Sequence, residues 1–265
     1  MALRSTLDAE ARRAEILELA RSEGAVALDA IAERYEVHQM TIRRDFEALE
    51  RAGVVRRVRG GVVPALADPF SIRRSQQRAA KERIARKVLP LLPQGGAVGF
   101  DASTTVYVLA ELLAASQTPA AVQTTASPPP LTIVTNGLVA FDALAASPEL
   151  RTYLTGGERE EHNLSLVGSL TEQAFSAFHL DCSIVSAMGV HAESGTSEST
   201  LAQAAVKSSM ASAADRVILV VDSTKLQSHS RVRALATARI DTLVTELDPD
   251  DPRLDPYRPL VGTVL

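Results

Sequence analysis

The stretch Thr41-Ile42-Arg43-Arg44-Asp45-Phe46-Glu47-Ala48-Leu49-Glu50-Arg51 decides the fold of the N-terminal region. At a helical spacing of about 100° per residue, Ile42, Phe46 and Leu49 fall within about 60° of one another and form a narrow apolar stripe. The opposite face carries arginines. Such a face suits a polyanion, but charged outer faces are also common on ordinary solvated helices, so this helix alone leaves both readings open.

The next segment favours the interpretation that the helix binds a polyanion. Residues 53–63 read Gly-Val-Val-Arg-Arg-Val-Arg-Gly-Gly-Val-Val, which predicts a short β-hairpin, or wing, that carries arginines and is closed by glycines. Upstream, the apolar spacing predicts helices over about 11–23 and 28–35. Three short helices followed by a small hairpin predict a winged helix-turn-helix domain over residues 1–63.

Composition narrows the class of protein. The 265 residues are 46% hydrophobic and 23% charged with a net charge of −4, so a uniformly basic coat is excluded. Between Arg51 and Lys87, however, eleven lysines and arginines stand against two acids, a local patch of the kind that binds phosphates. A single cysteine and scattered histidines predict neither a disulfide nor a metal site. No cofactor is expected, and the lack of a signal-peptide core or a long apolar run predicts a cytoplasmic protein.

From Gly95 onward, short apolar strands alternate with helices. This alternation predicts an α/β Rossmann-like domain over 81–265, with parallel strands and helices on both faces. A polar, basic linker is predicted over 64–80, either a solvated hinge or a contact to a polyanion backbone. The Ala-, Thr-, Ser- and Pro-rich segment 117–130 is predicted to be a surface loop.

Ligands of open parallel sheets bind at the carboxyl ends of the strands. Polar and glycine residues follow five predicted strands, and we expect them on one rim: Asp101–Thr105, Asn136-Gly137, Gly156-Gly157, Gly189 and Asp222–Lys225. The turn at 101–105 precedes a helix, so its N–H groups and hydroxyls could hold a phosphate. Ser and Thr at a helix start also serve as simple caps.

Several motifs resemble one family. Thr41-Ile42-Arg43-Arg44-Asp45-Phe46, followed by Leu49 and Arg59-Gly60-Gly61, resembles the signature of the DeoR family of bacterial transcriptional regulators. These pair a DNA-binding winged helix with a C-terminal sensor similar to ribose-5-phosphate isomerase. The region 81–244 resembles that sensor at several motifs, among them Lys81-Glu82-Arg83-Ile84-Ala85, Val167-Gly168 and Asp222-Ser223-Thr224-Lys225. The resemblance implies a regulator, expected to be a repressor, that binds double-stranded operator DNA as a homo-oligomer and is released by a phosphorylated sugar or polyol.

Two sets of site residues follow. The DNA-binding candidates lie on the third helix and the wing: Gln39, Met40, Thr41, Arg43, Arg44, Glu47, Arg51, Arg56, Arg57 and Arg59. By position, the resemblance implies that a phosphate is held by Ser103, Thr104 and Thr105. It implies that the rest of the effector is bound by Asp101, Glu198, Lys207 and Lys225, with Asn136, Gly156, Gly157 and Gly189 on the same rim. Asp45, at the edge of the apolar stripe, is expected to orient an arginine.

The chain departs from the family pattern at two helix starts. Ala27 and His38 stand where the family usually has Ser or Thr caps. A missing cap costs about 1 kcal/mol, so slightly frayed starts are expected for the second and third helices.

Other departures lie in the sensor. Gln203 stands where an acidic Glu is common, Ser208 where Arg is common, and Ser103 where Gly is frequent. A lost carboxylate and a lost guanidinium would change which effector groups are satisfied. The identity of the effector therefore does not follow from the resemblance.

Two alternatives remain beside the regulator. One is a sugar-phosphate isomerase with an accessory DNA-binding domain. It would need a positioned carboxylate base, with Asp101, Asp181, Glu193 and Glu198 available, but no carboxylate pair stands out. The other is a sugar-phosphate-binding protein with a vestigial DNA-binding head. The regulator without catalytic residues is the preferred prediction.

Overall fold

The computed structural model describes residues 9–65, 68–116 and 130–265. Nearly all of the loop predicted at 117–130 lies outside the described residues. The chain divides into two compact units, Met1–Ile72 and Arg73–Leu265. Among the described residues, none of the helices combines the length and apolar character needed to cross a membrane.

The first unit is a winged helix-turn-helix, as predicted. Its elements are α1 (Ala9–Glu23), β1 (Val26–Ala27), α2 (Leu28–Arg34), α3 (Gln39–Arg51), β2 (Val55–Val58) and β3 (Gly61–Pro64). The three strands form an antiparallel sheet in the order β1-β3-β2. The apolar stripe of α3 packs into a core in which Ile16, Tyr35, Ile42 and Phe46 are wholly buried.

The expectation of a frayed start is wrong for α3. The His38 Nδ1 accepts a hydrogen bond from the Met40 backbone N–H at 3.1 Å, so the imidazole caps the helix as Ser or Thr would. Ala27 provides no side-chain cap for α2. Instead β1 pairs with β3, and the Leu28 N–H donates to the Gly60 carbonyl at 2.8 Å. A Cβ on Gly61 would lie 2.0 Å from the Val26 carbonyl oxygen, so only glycine permits this pairing.

The stretch 64–80, predicted as a linker, contains two helical segments where it is described. It contains α4 (Phe70–Arg73) and the first turn of α5, which runs from Arg78 to Val88. The division between the two units falls inside α4. Phe70 is buried, which explains why this basic stretch forms ordered structure.

The second unit is built on a seven-stranded sheet in the order β15-β14-β12-β9-β4-β5-β6, with neighbouring strands parallel. Its strands are β4 (Ala97–Phe100), β5 (Leu131–Thr135), β6 (Leu150–Leu154), β9 (Leu180–Val185), β12 (Ala214–Val220), β14 (Thr242–Val244) and β15 (Thr263–Val264). The helices are α6 (Thr104–Ser116), α7 (Leu138–Ala145), α8 (Ser169–Ser176) and α9 (Leu201–Ser212). The predicted Rossmann-like α/β class is confirmed.

Two small sheets were not predicted. One pairs β7 (Glu158–Glu160) with β8 (Ser165–Val167). The other has the order β10-β11-β13, formed by Gly189–His191, Gly195–Glu198 and Val232–Arg233. These strands are short, and β11 reads Gly-Thr-Ser-Glu, without the apolar alternation that identifies a strand. The second sheet matters for function because it carries Glu198.

Candidate functional site

The outer face of α3 is an open, charged surface. Gln39, Met40, Arg43, Arg44, Glu47 and Arg51 are exposed, and Thr41 is half-buried. Met40 exposes 53% of its surface at the N-terminal end of the helix. A helix that presents its N-terminal residues and a row of long polar side chains has the form of a major-groove reader.

Asp45 lies on the inner side of the same helix. Its Oδ2 accepts a hydrogen bond from Arg12 Nε at 2.6 Å, and its Oδ1 accepts one from Arg13 Nε at 3.1 Å. The carboxylate and Arg12 are almost wholly buried, whereas Arg13 is partly exposed. Asp45 therefore ties α3 to α1, and the expectation that it orients an arginine is confirmed.

The three wing arginines differ in their surroundings. Arg56 and Arg59 are exposed. Arg57 is half-buried: its guanidinium carbon lies 5.9 Å from the centre of the Phe46 ring, and its backbone N–H donates to Glu50 at 3.1 Å. The geometry favours Arg57 as the residue that holds the wing against α3, with Arg56 and Arg59 presented to solvent.

In the second unit, a polar cavity lies where β4, β9 and β12 end. Its lining includes Ser103, Thr104 and Thr105 after β4, Ser186 to Met188 after β9, and Asp222, Thr224 and Lys225 after β12. Glu198, Gln203 and Lys207 complete one wall, and Arg73, Gln76, Gln77 and Lys81 complete another. The structure thus brings together most of the predicted effector residues at the sheet edge where ligands of such folds bind.

A buried ion cluster forms the base of the cavity. Lys207 Nζ donates to Glu198 Oε1 at 2.6 Å and to the Ser186 carbonyl at 2.6 Å, and it lies 3.1 Å from Asp101 Oδ2. Burial works to lower the pKa of Lys207, but the two carboxylates outweigh it and raise the pKa. The ammonium is therefore charged, and its three N–H groups are directed to protein acceptors.

Asp101 organises the turn that precedes α6. Its Oδ1 accepts the Ser103 N–H at 2.9 Å, and its Oδ2 accepts the Ser186 N–H at 2.7 Å. The Ser103 hydroxyl in turn accepts the Val106 N–H at 3.1 Å and so caps the helix. The first N–H groups of a helix have no intrahelical acceptor, and Thr104 and Thr105 at this helix start line the cavity. N–H groups in this position are of the kind that bind anions.

Sequence reasoning missed two cations of the cavity wall. Lys81, noted only as part of a family motif, is 4% exposed and donates through Nζ to the carbonyls of Arg73 and Gln76. Burial lowers the pKa of Lys81 to about 8, and the nearby Asp222 opposes this. Arg73 donates to the Asn163 side chain. Nothing in the local sequence placed either residue in the site, because Lys81 sits in a helix that the fold brings to the cavity.

A second polar network surrounds Gln203. Its side-chain amide donates to a Glu160 carboxylate oxygen and to the Ser165 hydroxyl, the latter at 2.9 Å. The same Glu160 oxygen accepts the Asn163 amide at 2.7 Å. The carboxylate that Gln203 lacks relative to the family pattern is thus present on Glu160, in β7, and hydrogen-bonded to the glutamine.

The remaining predicted rim residues do not line the cavity. The Asn136 amide donates to the Leu166 carbonyl at 2.9 Å. The Gly156 carbonyl accepts the Thr171 hydroxyl at 2.7 Å, and a Cβ on Gly157 would lie 2.2 Å from the Thr171 Oγ1. The Gly189 carbonyl accepts the Ser197 hydroxyl at 3.3 Å. These residues secure the backbone of neighbouring loops. Across the described part of the chain, no group of three His, Cys, Asp or Glu side chains could hold a metal ion.

Comparison with protein families assigns both units. A model described as the DeoR-like helix-turn-helix domain matches residues 12–65, and one described as the DeoR C terminal sensor domain matches residues 76–247. Together the two models span both of the compact units.

Three curated relatives resemble the chain over most of its length. The transcriptional repressor AccR of Agrobacterium fabrum is 32% identical over 91% of this chain and 88% of its own. The L-fucose operon activator of Haemophilus influenzae is 28% identical over 87% and 89%, respectively. The glycerol-3-phosphate regulon repressor of Escherichia coli is 28% identical over 88% and 89%.

Solved structures resemble the chain more distantly. Ribose 5 phosphate isomerase A of Neisseria gonorrhoeae is 19% identical with a TM-score of 0.35, over 57% of this chain and 53% of that one. eIF2B beta of Chaetomium thermophilum is 13% identical with a TM-score of 0.44, over 69% and 54%. The chain thus spans about half the length of each of these structures.

Proposed function

The chain belongs to the DeoR family of transcriptional regulators, and from that premise we propose that it represses genes of sugar or polyol metabolism until a phosphorylated sugar or polyol binds the cavity of its second unit. Like its relatives, it is a DNA-binding regulator of transcription and not an enzyme. We further propose that it works in the cytoplasm, with a DNA-binding head over 1–63, a linker over 64–80 and a sensor over 81–265.

For DNA binding, α3 enters the major groove. The exposed Gln39, Met40, Arg43, Arg44 and Glu47 face base edges or nearby phosphates, while Thr41 and Arg51 flank them. Arginine binds guanine O6 and N7 through two hydrogen bonds, the most common specific contact in the major groove. The exposed Arg56 and Arg59 of the wing bind the phosphate backbone, which fixes position and adds affinity.

A single winged helix contacts too few base pairs for tight specificity. We therefore propose that the protein binds repeated half-sites as a homo-oligomer. Effector binding shifts the population of sensor conformations and so the spacing of the DNA-binding heads.

The observation that carries the effector proposal is the charge of the cavity. Lys207, Glu198 and Asp101 together carry a net charge of −1, and the other charged groups among the described lining residues are Arg73, Lys81 and Lys225 against Asp222, so the whole set keeps a net charge of +1. The start of α6 belongs to the same cavity lining and adds the hydroxyls and N–H groups of Thr104 and Thr105. Such a surface favours an anion, and the network around Gln203 offers acceptors and donors for sugar hydroxyls.

The relatives support the same class of ligand. The name of the Escherichia coli relative refers to glycerol-3-phosphate, a polyol phosphate, and that of the Haemophilus influenzae relative refers to a sugar.

A thermal-shift screen tests the proposal. Phosphorylated sugars and polyols should raise the melting temperature, whereas the matching unphosphorylated compounds should not. Lys225→Met should abolish the shift, and Lys87→Met, whose ammonium donates to the Leu247 carbonyl outside the cavity lining, should preserve it.

A second measurement connects the ligand to DNA. Genomic fragments selected by the protein should be released when the stabilising compound is added, as followed by fluorescence anisotropy. Lys225→Met should bind the same fragments with unchanged affinity and fail to release them. A phosphorylated compound that stabilises Lys225→Met as well as the wild type would contradict the assignment of this cavity.

A further inference from the structure

The effector cavity is lined in part by the segment that begins the second unit. Arg73, Gln76 and Gln77 line the same cavity as Ser103, Thr104 and Thr105. Arg73 follows directly on Ile72, the last residue of the first unit. We call Arg73–Gln77 the joint segment. A ligand in the cavity therefore lies beside the stretch of chain through which the DNA-binding head is attached.

Lys81 holds the joint segment in its present form. Its ammonium donates to the carbonyls of Arg73 and Gln76, while the Lys81 backbone N–H donates to the Gln77 carbonyl at 3.0 Å. Gln77 has a φ of 51°, in the left-handed region, which costs a residue with a Cβ roughly 1 kcal/mol. The two carbonyl contacts of Lys81 thus close a turn that contains an unfavourable backbone conformation.

The electrostatic surroundings leave Lys81 poorly balanced. Its side chain is almost wholly buried, and Arg73, Lys225 and Arg78 add positive charge near it, which the carboxylate of Asp222 opposes. The acceptors that it contacts are neutral carbonyls. Hydrogen bonds between two charged groups are about twice as strong as those to neutral ones, so an anion in the cavity would compete effectively for this ammonium.

We propose that Lys81 transmits effector binding to the joint: the phosphate of the effector takes the Lys81 ammonium away from the carbonyls of Arg73 and Gln76, and the joint segment loosens. This inference rests on the proposed function, in which the cavity binds a phosphorylated sugar or polyol. Lys81 is then both a binding residue for the phosphate and the residue that reports its presence.

The other two lysines that line the cavity, Lys207 and Lys225, do not combine phosphate binding with contacts to the joint segment. Lys207 already donates to two carboxylates and a carbonyl, so the cluster around it carries net negative charge and would repel an anion. Lys225 lies on a short turn, Ser223–Lys225, after β12. Its backbone N–H donates to the Asp222 carbonyl and its own carbonyl accepts the Ser228 hydroxyl, so these bonds hold it to the turn after β12. Lys81 is the lysine whose ammonium touches both the cavity and the joint segment.

Hydrogen–deuterium exchange on the full chain tests the inference, with inorganic phosphate as the probe. In the wild type, saturating phosphate should speed amide exchange in peptides covering the joint segment several-fold, because the turn loses its two ammonium contacts. Lys81→Met should show the fast exchange without phosphate and no further change with it. Lys81→Arg, which keeps a cation, should retain a response.

The matched control is Lys87→Met, on the same helix. Lys87 also donates to a backbone carbonyl, that of Leu247, but it does not line the cavity. In the Lys87→Met variant, amide exchange in the joint segment should rise on addition of phosphate as it does in the wild type. This control separates the loss of a particular contact from general loosening of α5.

Phosphate binding is measured in parallel by calorimetry, so that two failures can be told apart. If phosphate binds the wild type but exchange in the joint segment does not rise, or if Lys81→Met responds as the wild type does, the role of Lys81 is overturned while the effector site stands. If neither phosphate nor any phosphorylated sugar binds the wild type, both the proposed function and this inference fall.

Discussion

Each unit contains a buried three-charge cluster, and the two have opposite composition. In the DNA-binding head, one carboxylate, Asp45, is held by two arginines, Arg12 and Arg13. In the sensor, one ammonium, Lys207, is held by two carboxylates, Asp101 and Glu198. The head cluster carries an excess positive charge and the sensor cluster an excess negative charge.

The placement of the excess charge explains why both clusters are tolerated. In the head, the surplus cation is Arg13, whose side chain is 39% exposed, so water solvates it. In the sensor, both carboxylates are buried, with 5% or less of the side chain exposed. The surplus there is balanced only by the cations of the cavity wall. A buried cluster can therefore secure a helix in one unit, whereas in the other it lies beside the proposed effector cavity.

The largest effect should come from removing the central cation of the sensor cluster. Lys207→Met leaves Asp101 and Glu198 buried without their shared counter-ion, and breaking a buried pair in this way costs about 3–5 kcal/mol. Urea denaturation measures the loss. Glu198→Gln, which leaves one carboxylate for one ammonium, should cost less. The reverse order would contradict the charge balance described above.

The next effect concerns pH. Lys81 has an ordinary pKa of 10.5 in the unfolded chain and about 8 in the fold. Between these values the unfolded chain holds a proton that the folded one has lost, so the free energy of unfolding rises with pH. Over the window from about 8 to 10.5, wild type should gain up to roughly 3 kcal/mol relative to Lys81→Met. Denaturation curves of both proteins at the ends of the window test the sign, and equal slopes would contradict it.

A smaller loss is expected at the head cluster. Asp45→Asn removes the charge that holds Arg12 and Arg13, and the expected cost is about 1–3 kcal/mol, because hydrogen bonds to charged groups contribute on that scale. Arg13→Met should cost less than about 1 kcal/mol, as exposed ion pairs contribute little. The contrast between these two variants, measured by thermal melting, checks that the surplus charge in the head is solvated.

The smallest effects should appear on DNA alone, without loss of stability. Arg44→Ala should reduce discrimination between selected and random DNA by about 1–3 kcal/mol if the residue reads a base. Arg56→Ala should weaken binding to selected and to random DNA equally. It should also lower by about 1 the slope of the logarithm of the binding constant against the logarithm of the salt concentration. Anisotropy titrations at several salt concentrations separate the two. A uniform effect of Arg44→Ala would place that residue on the backbone instead.

The residues of the two sites differ in how far the sequence could predict them. The helical spacing of Ile42, Phe46 and Leu49 predicted which side of α3 is exposed, because a helix face is a local property. The turn after β4 was predicted for the same reason. Arg73 and Lys81 were missed because they lie on helices that precede the sheet in the sequence. The local sequence pattern of these helices does not indicate that they pack beside the cavity.

The sequence by itself determined the two-unit organisation, the exposed arginines of α3 and the wing, and the strand ends that carry polar residues. Periodicity and turn chemistry act over a few residues, so residues close together in the sequence determine these features. Only the tertiary structure decided that Asn136 and the predicted rim glycines lie outside the cavity lining, and that Lys81 joins the cavity to the joint segment. Each of these depends on how distant backbone segments pack, and the strength of a charge or hydrogen bond there depends on burial that the sequence does not specify.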